Sequence, residues 1–222
     1  MELKEAISKR KSIRGYKTDP VSKEFLSEII EISLRAPSAM NVQPWEITVL
    51  AGEPLNELRR IIMTKLDSGS IPVSDFGSVK PYEGVHKERQ RALGLELYRL
   101  LEIDRKEKEK RLRWTMKGLR AFDAPAVIIL AADENLDIRM AASDIGGLVQ
   151  TICLVALDYE LGTCINSQGV SFPDEVRKIT GIPESKKIYL CISIGYPDWT
   201  DDANELSSER ESVEKAVHWV GF

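Results

Sequence analysis

Two short segments near the amino terminus carry residue types suited to binding anions and heterocycles. In Arg10-Lys11-Ser12-Ile13-Arg14, the alternation puts Arg10, Ser12 and Arg14 on one side of an extended backbone. Two guanidinium groups flanking a hydroxyl make a phosphate cradle, because Arg offers forked, charge-assisted donors. The same residues would also serve as a solvated basic turn. Further on, Ala36-Pro37-Ser38-Ala39-Met40-Asn41-Val42-Gln43-Pro44-Trp45 sets small and amide-bearing residues between two prolines. Ser38, Asn41 and Gln43 supply both donors and acceptors, as a heterocycle with alternating carbonyls and ring nitrogens requires. Trp45 would anchor the loop in the core. Taken alone, this segment is equally a helix-to-strand turn.

The elements that must position these segments are legible from periodicity. Residues 2–9 read as a short helix. Asp19-Pro20 can open a second helix, whose apolar stripe is Phe25, Leu26, Ile29, Ile30 and Leu34. Pro37 disfavours helical geometry in the residue before it, so this helix should end near Ala36. A strand at Glu46–Leu50 and a helix at Pro54–Leu66 follow. Residues 67–84 hold Gly69, Pro72, Gly77, Pro81 and Gly84, the composition of an irregular loop. A long polar helix is expected over 85–120. Ala126–Ala132 is the continuous apolar run of a buried strand, and Asp137–Tyr159 is the most apolar helix. Gly146-Gly147 within it costs about 1 kcal/mol per Gly relative to Ala, so another backbone or a flat ring is expected to pack there. Strands at Thr163–Gln168 and Lys187–Ile194 enclose a helix at 173–180.

The order R-x-S-x-R, then a helix, then A-P-S-x-x-N-x-Q-P-W resembles the opening of the nitroreductase family. The likeness continues through Phe122-Asp123-Ala124-Pro125, Leu161-Gly162-Thr163-Cys164 and Gly195-Tyr196-Pro197. The tail from Asn204 through Arg210 to His218-Trp219-Val220-Gly221-Phe222 is similar to the arylnitroreductase branch. The resemblance implies an α+β fold, a central mixed sheet flanked by helices, with residues 1–222 as one domain. Residues 67–120 would be a variable insertion near the active site, and 198–222 a C-terminal extension. Two copies would interlock as a homodimer with two FMN sites at the interface.

Arg10, Lys11, Ser12 and Arg14 would hold the FMN phosphate and ribityl chain, aided by Arg210. Pro37, Ser38, Ala39 and Asn41 would reach the isoalloxazine from the partner chain. Gln168 and Gly169 would lie near flavin N5 and offer it a backbone N–H. Many members carry a Glu or an aromatic around this stretch, where this chain reads Asn166-Ser167-Gln168-Gly169. The implied activity is ping-pong electron transfer. NAD(P)H acts as a transient co-substrate, and a nitroaromatic, quinone or related small molecule is the acceptor. Flavin proteins of the same fold that dehalogenate, act on enones or dismantle flavin remain alternatives, as does a flavin binder without turnover. Tyr82, Tyr98 and Trp114 are candidates for the acceptor side.

Inventory excludes other chemistries. No G-x-G-x-x-G follows a strand and no P-loop is present. His86 and His218 lie far apart in sequence, and no cysteine has metal-ligand spacing, which argues against a zinc site or a Cys–His nucleophile. A net charge of −4, with 31 basic and 35 acidic side chains, gives no field for nucleic acid or an anionic membrane. The longest apolar stretch, Ala124–Ala132, is far short of the roughly 20 residues of a membrane helix. Cys153, Cys164 and Cys191 sit in apolar contexts, as reduced core thiols of a cytoplasmic protein do.

Overall fold

In the computed structural model, which describes residues 1–222, the apolar run becomes the central strand β2 (Ala126–Asp133). Both of its faces are covered, which is why it reads as continuous rather than alternating. Ala126, Ile128, Leu130 and Ala132 pack with Leu26, Ile29, Trp45, Ile145, Leu148 and Ile152. Val127, Ile129 and Ala131 pack with Leu55, Leu58, Ile62 and Val176. Ile128, Ile129 and Leu130 are at most 1% exposed, so each contributes about 1.5–3 kcal/mol by burial.

The other strands are β1 (Glu46–Ala51), β3 (Gly162–Asn166) and β4 (Lys186–Gly195), in the order β1-β2-β4-β3. The sheet expected to be mixed is antiparallel in all three ladders. Its one parallel element is an isolated bridge between Ser12 and Thr163. The reason lies in the connection. β2 and β3 run parallel and are joined through helix α6 (Ile138–Val155), but β4 inserts between them and opposes both.

On one face, α6 packs against α2 (Lys23–Ser33); on the other lie α3 (Gly52–Asp67) and α7 (Pro173–Thr180). A short α1 (Leu3–Lys9) leads into the basic segment. The α2 helix starts later than Asp19-Pro20 predicts, because Ser22 Oγ accepts the Phe25 N–H at 3.2 Å and caps it. Asp137 caps α6, accepting from the N–H groups of Arg139 and Met140. The Arg139 side chain and these two N–H groups hold its carboxyl at about 2. The segment Ile138–Tyr159 is long and apolar enough to cross a membrane; here α6 is the core helix beneath the sheet.

The helix expected over 85–120 is two helices, α4 (Gly84–Leu100) and α5 (Lys108–Leu119). Glu102 is left-handed (φ 50°) and the Ile103 N–H reaches back to Tyr98 O at 2.8 Å, a Schellman ending. Side chains then close the turn before α5: Glu107 accepts the Asp104 N–H, and Asp104 accepts the Lys106 N–H, both at 2.8 Å. The last helix is the single turn α8 (Val213–Ala216), and residues 207–222 are exposed throughout.

Residues 67–84 form the expected loop, but its first half is pinned. Asp75 takes a two-pronged ion pair from Arg177 of α7 (3.1 and 2.6 Å) and the Ile188 N–H of β4 at 2.7 Å. Phe76 packs tilted against Tyr189, ring centroids 4.7 Å apart.

Candidate functional site

The basic segment runs alongside β3. The Ile13 N–H donates to Thr163 O at 2.9 Å, and the Lys17 N–H to Tyr196 O at 2.9 Å. Ile13 is buried against Gly162, whose glycine is required: a Cβ there would come within 2.5 Å of Ile13. Ile13 and Gly15 are buried, whereas Arg10, Ser12 and Arg14 stay partly exposed in the neighbourhood of Cys164. Burial pushes the Cys164 thiol up, against the opposing influence of Arg14, a hydrogen bond with Ser12, and Arg10. Cys191 is pushed up to about 12, chiefly by burial. The thiols are thus held protonated in the core rather than poised as nucleophiles. Lys11 turns away from this row and lies over the Trp199 ring, 5.4 Å from its centroid.

From Arg14 the site continues through aromatic surface. The Arg14 guanidinium lies 6.0 Å from the Phe122 centroid, and Phe122 packs on Trp114 of α5 at 5.8 Å. Phe122 is held in an unusual backbone. Ala121, Phe122 and Asp123 are all left-handed, with φ of 54°, 55° and 56°, a conformation that costs about 1–2 kcal/mol per residue. Side chains secure it: Arg120 forks onto Asp123 at 2.8 and 2.9 Å, and Arg59 of α3 donates to Arg120 O (3.0 Å) and Ala124 O (2.6 Å).

At the end of β3, Gln168 and Gly169 lie under the last turn of α5. A Cβ on Gly118 would meet Gln168 Oε1 at 2.3 Å, so a side chain there would displace the Gln168 amide. The N–H groups of both Gln168 and Gly169 are already accepted by Asn166 Oδ1, at 2.8 and 3.2 Å. This differs from the expected free N–H for flavin N5. Asn166 is 5% exposed and donates to Gly118 O at 2.8 Å, joining α5 to the sheet. Sequence reasoning passed over it, although an Asn two residues before a turn is a recognisable signal for such a side-chain turn.

A second buried asparagine was also missed. Asn204, 1% exposed, accepts the N–H groups of Arg14 and Gly15 and donates to Gly15 O and Asp198 O. Nearby Asp201 pairs with Lys117 of α5 at 2.6 Å.

The remaining expected residues lie elsewhere. Pro37, Ser38, Ala39 and Asn41 form a surface loop whose tie to the body is the Ala39 N–H on Asp144 of α6, 3.2 Å to each oxygen. Met40 is 98% exposed, and Met40, Asn41 and Gln43 are left-handed, with φ of 50°, 59° and 49°. No hydrogen bond or ion pair joins this loop to the Arg10–Arg14 row. A Cβ at Gly146 or Gly147 would meet no atom within 4 Å, so the packing expected there is not supplied by this chain. Arg210 is exposed and folds back on its own segment, donating to Ser208 O, Ser208 Oγ and Glu209 O at 2.7–3.0 Å.

Comparison with known proteins agrees with this architecture. The chain is 30% identical to a 4-nitrobenzoate reductase of Pseudomonas putida, over 97% of this chain and 94% of that protein. A crystal structure of the FMN-dependent nitroreductase NfnB from Mycobacterium smegmatis, in complex with NADPH, superposes with a TM-score of 0.91 at 27% identity, covering 99% and 100% of the two chains. The FMN- and NADPH-dependent nitroreductase NfnB from sphigopyxis sp. strain HMH gives a TM-score of 0.93 at 25% identity, over the whole of both chains. The family model described as "Nitroreductase family" matches residues 7–196, and with the sheet, the basic row and the Phe122 turn all falling inside that span, the chain belongs to the nitroreductase family.

Proposed function

We propose that this chain is an FMN-dependent NAD(P)H oxidoreductase of the cytoplasm. It works as a homodimer that passes electrons by a ping-pong cycle to nitroaromatic, quinone or related acceptors. The observation that carries this reading is the basic segment of Arg10, Ser12 and Arg14, next to the Phe122–Trp114 pair on α5, the helix whose Gly118 faces the Gln168 side chain. Its donor set, two forked cations and a hydroxyl, suits a phosphate monoester, and the aromatic surface beyond suits a flat ring. The relatives described as FMN- and NADPH-dependent support the same assignment.

FMN, when bound, supplies the chemistry by accepting hydride from reduced nicotinamide and passing electrons to the acceptor. Arg10, Ser12 and Arg14 would fix the phosphate, and the side chain of Lys11, turned onto Trp199, would add little. Basic groups toward one end of the site favour added negative charge. Asn166 holds the Gln168–Gly169 turn rigid beneath α5. The dimer reading draws support from the loop at 37–43, which stands strained and exposed away from the basic row. The uncovered Gly146-Gly147 surface supports it too. Pro37, Ser38, Ala39 and Asn41 would then serve the site of the neighbouring chain, and Arg210, on an exposed tail, would be free to reach a phosphate.

The purified protein should be yellow, with about one FMN per chain. Anaerobic NADPH should bleach the flavin band, whereas a binder without turnover would stay yellow. Initial rates should give parallel double-reciprocal lines; intersecting lines would contradict a single shared binding face.

Arg10→Ala and Arg14→Ala should each weaken FMN retention about tenfold or more, since charge-assisted hydrogen bonds are worth about 1.5–3 kcal/mol. Lys11→Ala should change it by less than about threefold, because that charge lies over Trp199 and away from the row. Equal retention in all three variants would reduce the basic row to a surface turn.

A further inference from the structure

We propose that Asn204 is a positioning residue that aims Arg14 at the cofactor phosphate; this rests on the FMN reading given above. The carboxamide uses its whole hydrogen-bonding capacity on one junction. Oδ1 accepts the N–H of Arg14 at 2.6 Å and of Gly15 at 3.2 Å; Nδ2 donates to Gly15 O and Asp198 O, both at 2.8 Å. Arg14 N–H belongs to the peptide before Arg14 and Gly15 N–H to the peptide after it. Fixing both peptides fixes φ and ψ of Arg14, and with them the direction of its Cα–Cβ bond. The guanidinium is thereby delivered over the Phe122 ring.

The segment presenting Asn204 is anchored in turn. Asp201 Oδ1 accepts the Ala203 N–H at 3.0 Å, Asp201 O accepts the Asn204 N–H at 2.8 Å, and Asp201 Oδ2 holds Lys117. It also lies so close that a Cβ on Gly15 would fall 2.3 Å from Asp201 Cβ. Gly15 is therefore part of the same device, since any side chain there would push Asn204 off its partners. A carboxamide that merely sealed the tail would stabilise the fold without caring what occupies the row; a positioning residue must act through the phosphate.

FMN and riboflavin differ only in that phosphate, so their comparison reads the role directly. The full-length chain, stripped of flavin, is titrated with each ligand by quenching of flavin fluorescence. Asn204→Ala should weaken FMN about tenfold or more, the size of losing one well-aligned charge-assisted contact, and leave riboflavin affinity within about twofold. Where Asn204→Ala does not fold, Asn204→Ser carries the test. Serine there is small and neutral, too short to hold both the Arg14 and Gly15 N–H groups, and should show the same phosphate-selective loss. Equal weakening of FMN and riboflavin, or no weakening of either, overturns the positioning role. A wild-type chain that binds FMN no more tightly than riboflavin would instead remove the phosphate assignment of Arg10, Ser12 and Arg14, and this inference with it.

Discussion

At FMN concentrations where Arg10→Ala and Asn41→Ala homodimers are each inactive, the two chains unfolded together and refolded as a one-to-one mixture should regain about a quarter of wild-type activity. Arg10 lies over Cys164 beside β3, whereas Asn41 sits on the exposed loop tied to Asp144 of α6, and no bond connects the two places within one chain. In a two-fold symmetric dimer, a site built from Arg10 of one protomer and Asn41 of the other occurs twice. A mixed dimer places both defects in one site and none in its mate. Random pairing makes about half the dimers mixed, and about half of their sites are intact, which gives the quarter. Mass spectrometry verifies subunit mixing. Activity that stays at the mutant baseline in verified mixed dimers would mean each site is made by a single chain.

The largest loss of stability should come from Asp75→Ala, about 3–5 kcal/mol, because it leaves a buried charge without its partner. The Asp75 and Arg177 side chains are 8% and 11% exposed, and their two-pronged pair is joined by the Ile188 N–H on Asp75 and by Lys186 O accepting from Arg177. After the substitution, Arg177 retains Asp174, 3.7 Å away and 88% exposed, which is a weak substitute. Against a typical total of about 5–15 kcal/mol, that loss threatens folding at growth temperature. Urea unfolding of wild type and variant measures it. A change below about 1 kcal/mol would show that another acceptor replaces the carboxylate. Asp75→Asn, still able to accept the Ile188 N–H, should lose less.

Local patterning made most of the framework legible. The unbroken apolar run of β2 and the stripe of α6 record burial directly, and the alternation at Arg10–Arg14 shows in the burial of Ile13 and Gly15. The break between α4 and α5 was also written in the chain, as Asp104 and Glu107 at capping-box spacing, but the surrounding charge run masked it. Start positions failed where two caps competed, as Ser22 did with Asp19-Pro20. What could not be read were contacts between distant residues. Asn204 serves Arg14 and Gly15 from 190 and 189 positions away, and Asp201 holds Lys117 from 84 away. Antiparallel pairing throughout the sheet was hidden for the same reason, since local sequence does not say which strand lies beside which.

The insertion of β4 between β2 and β3 sets a timetable for synthesis. Strands made earlier have a vacant lane between them until residues 186–195 have left the ribosome. Until then β2 has one open edge and β3 lacks its ladder partner, the kind of exposed backbone that invites wrong pairing. The basic row waits longer still, because Asn204 arrives after β4. The central sheet and the Asn204 junction with Arg14 and Gly15 therefore form almost together, once residues 186–204 have emerged, and until then the open strand edges are exposed to wrong pairing.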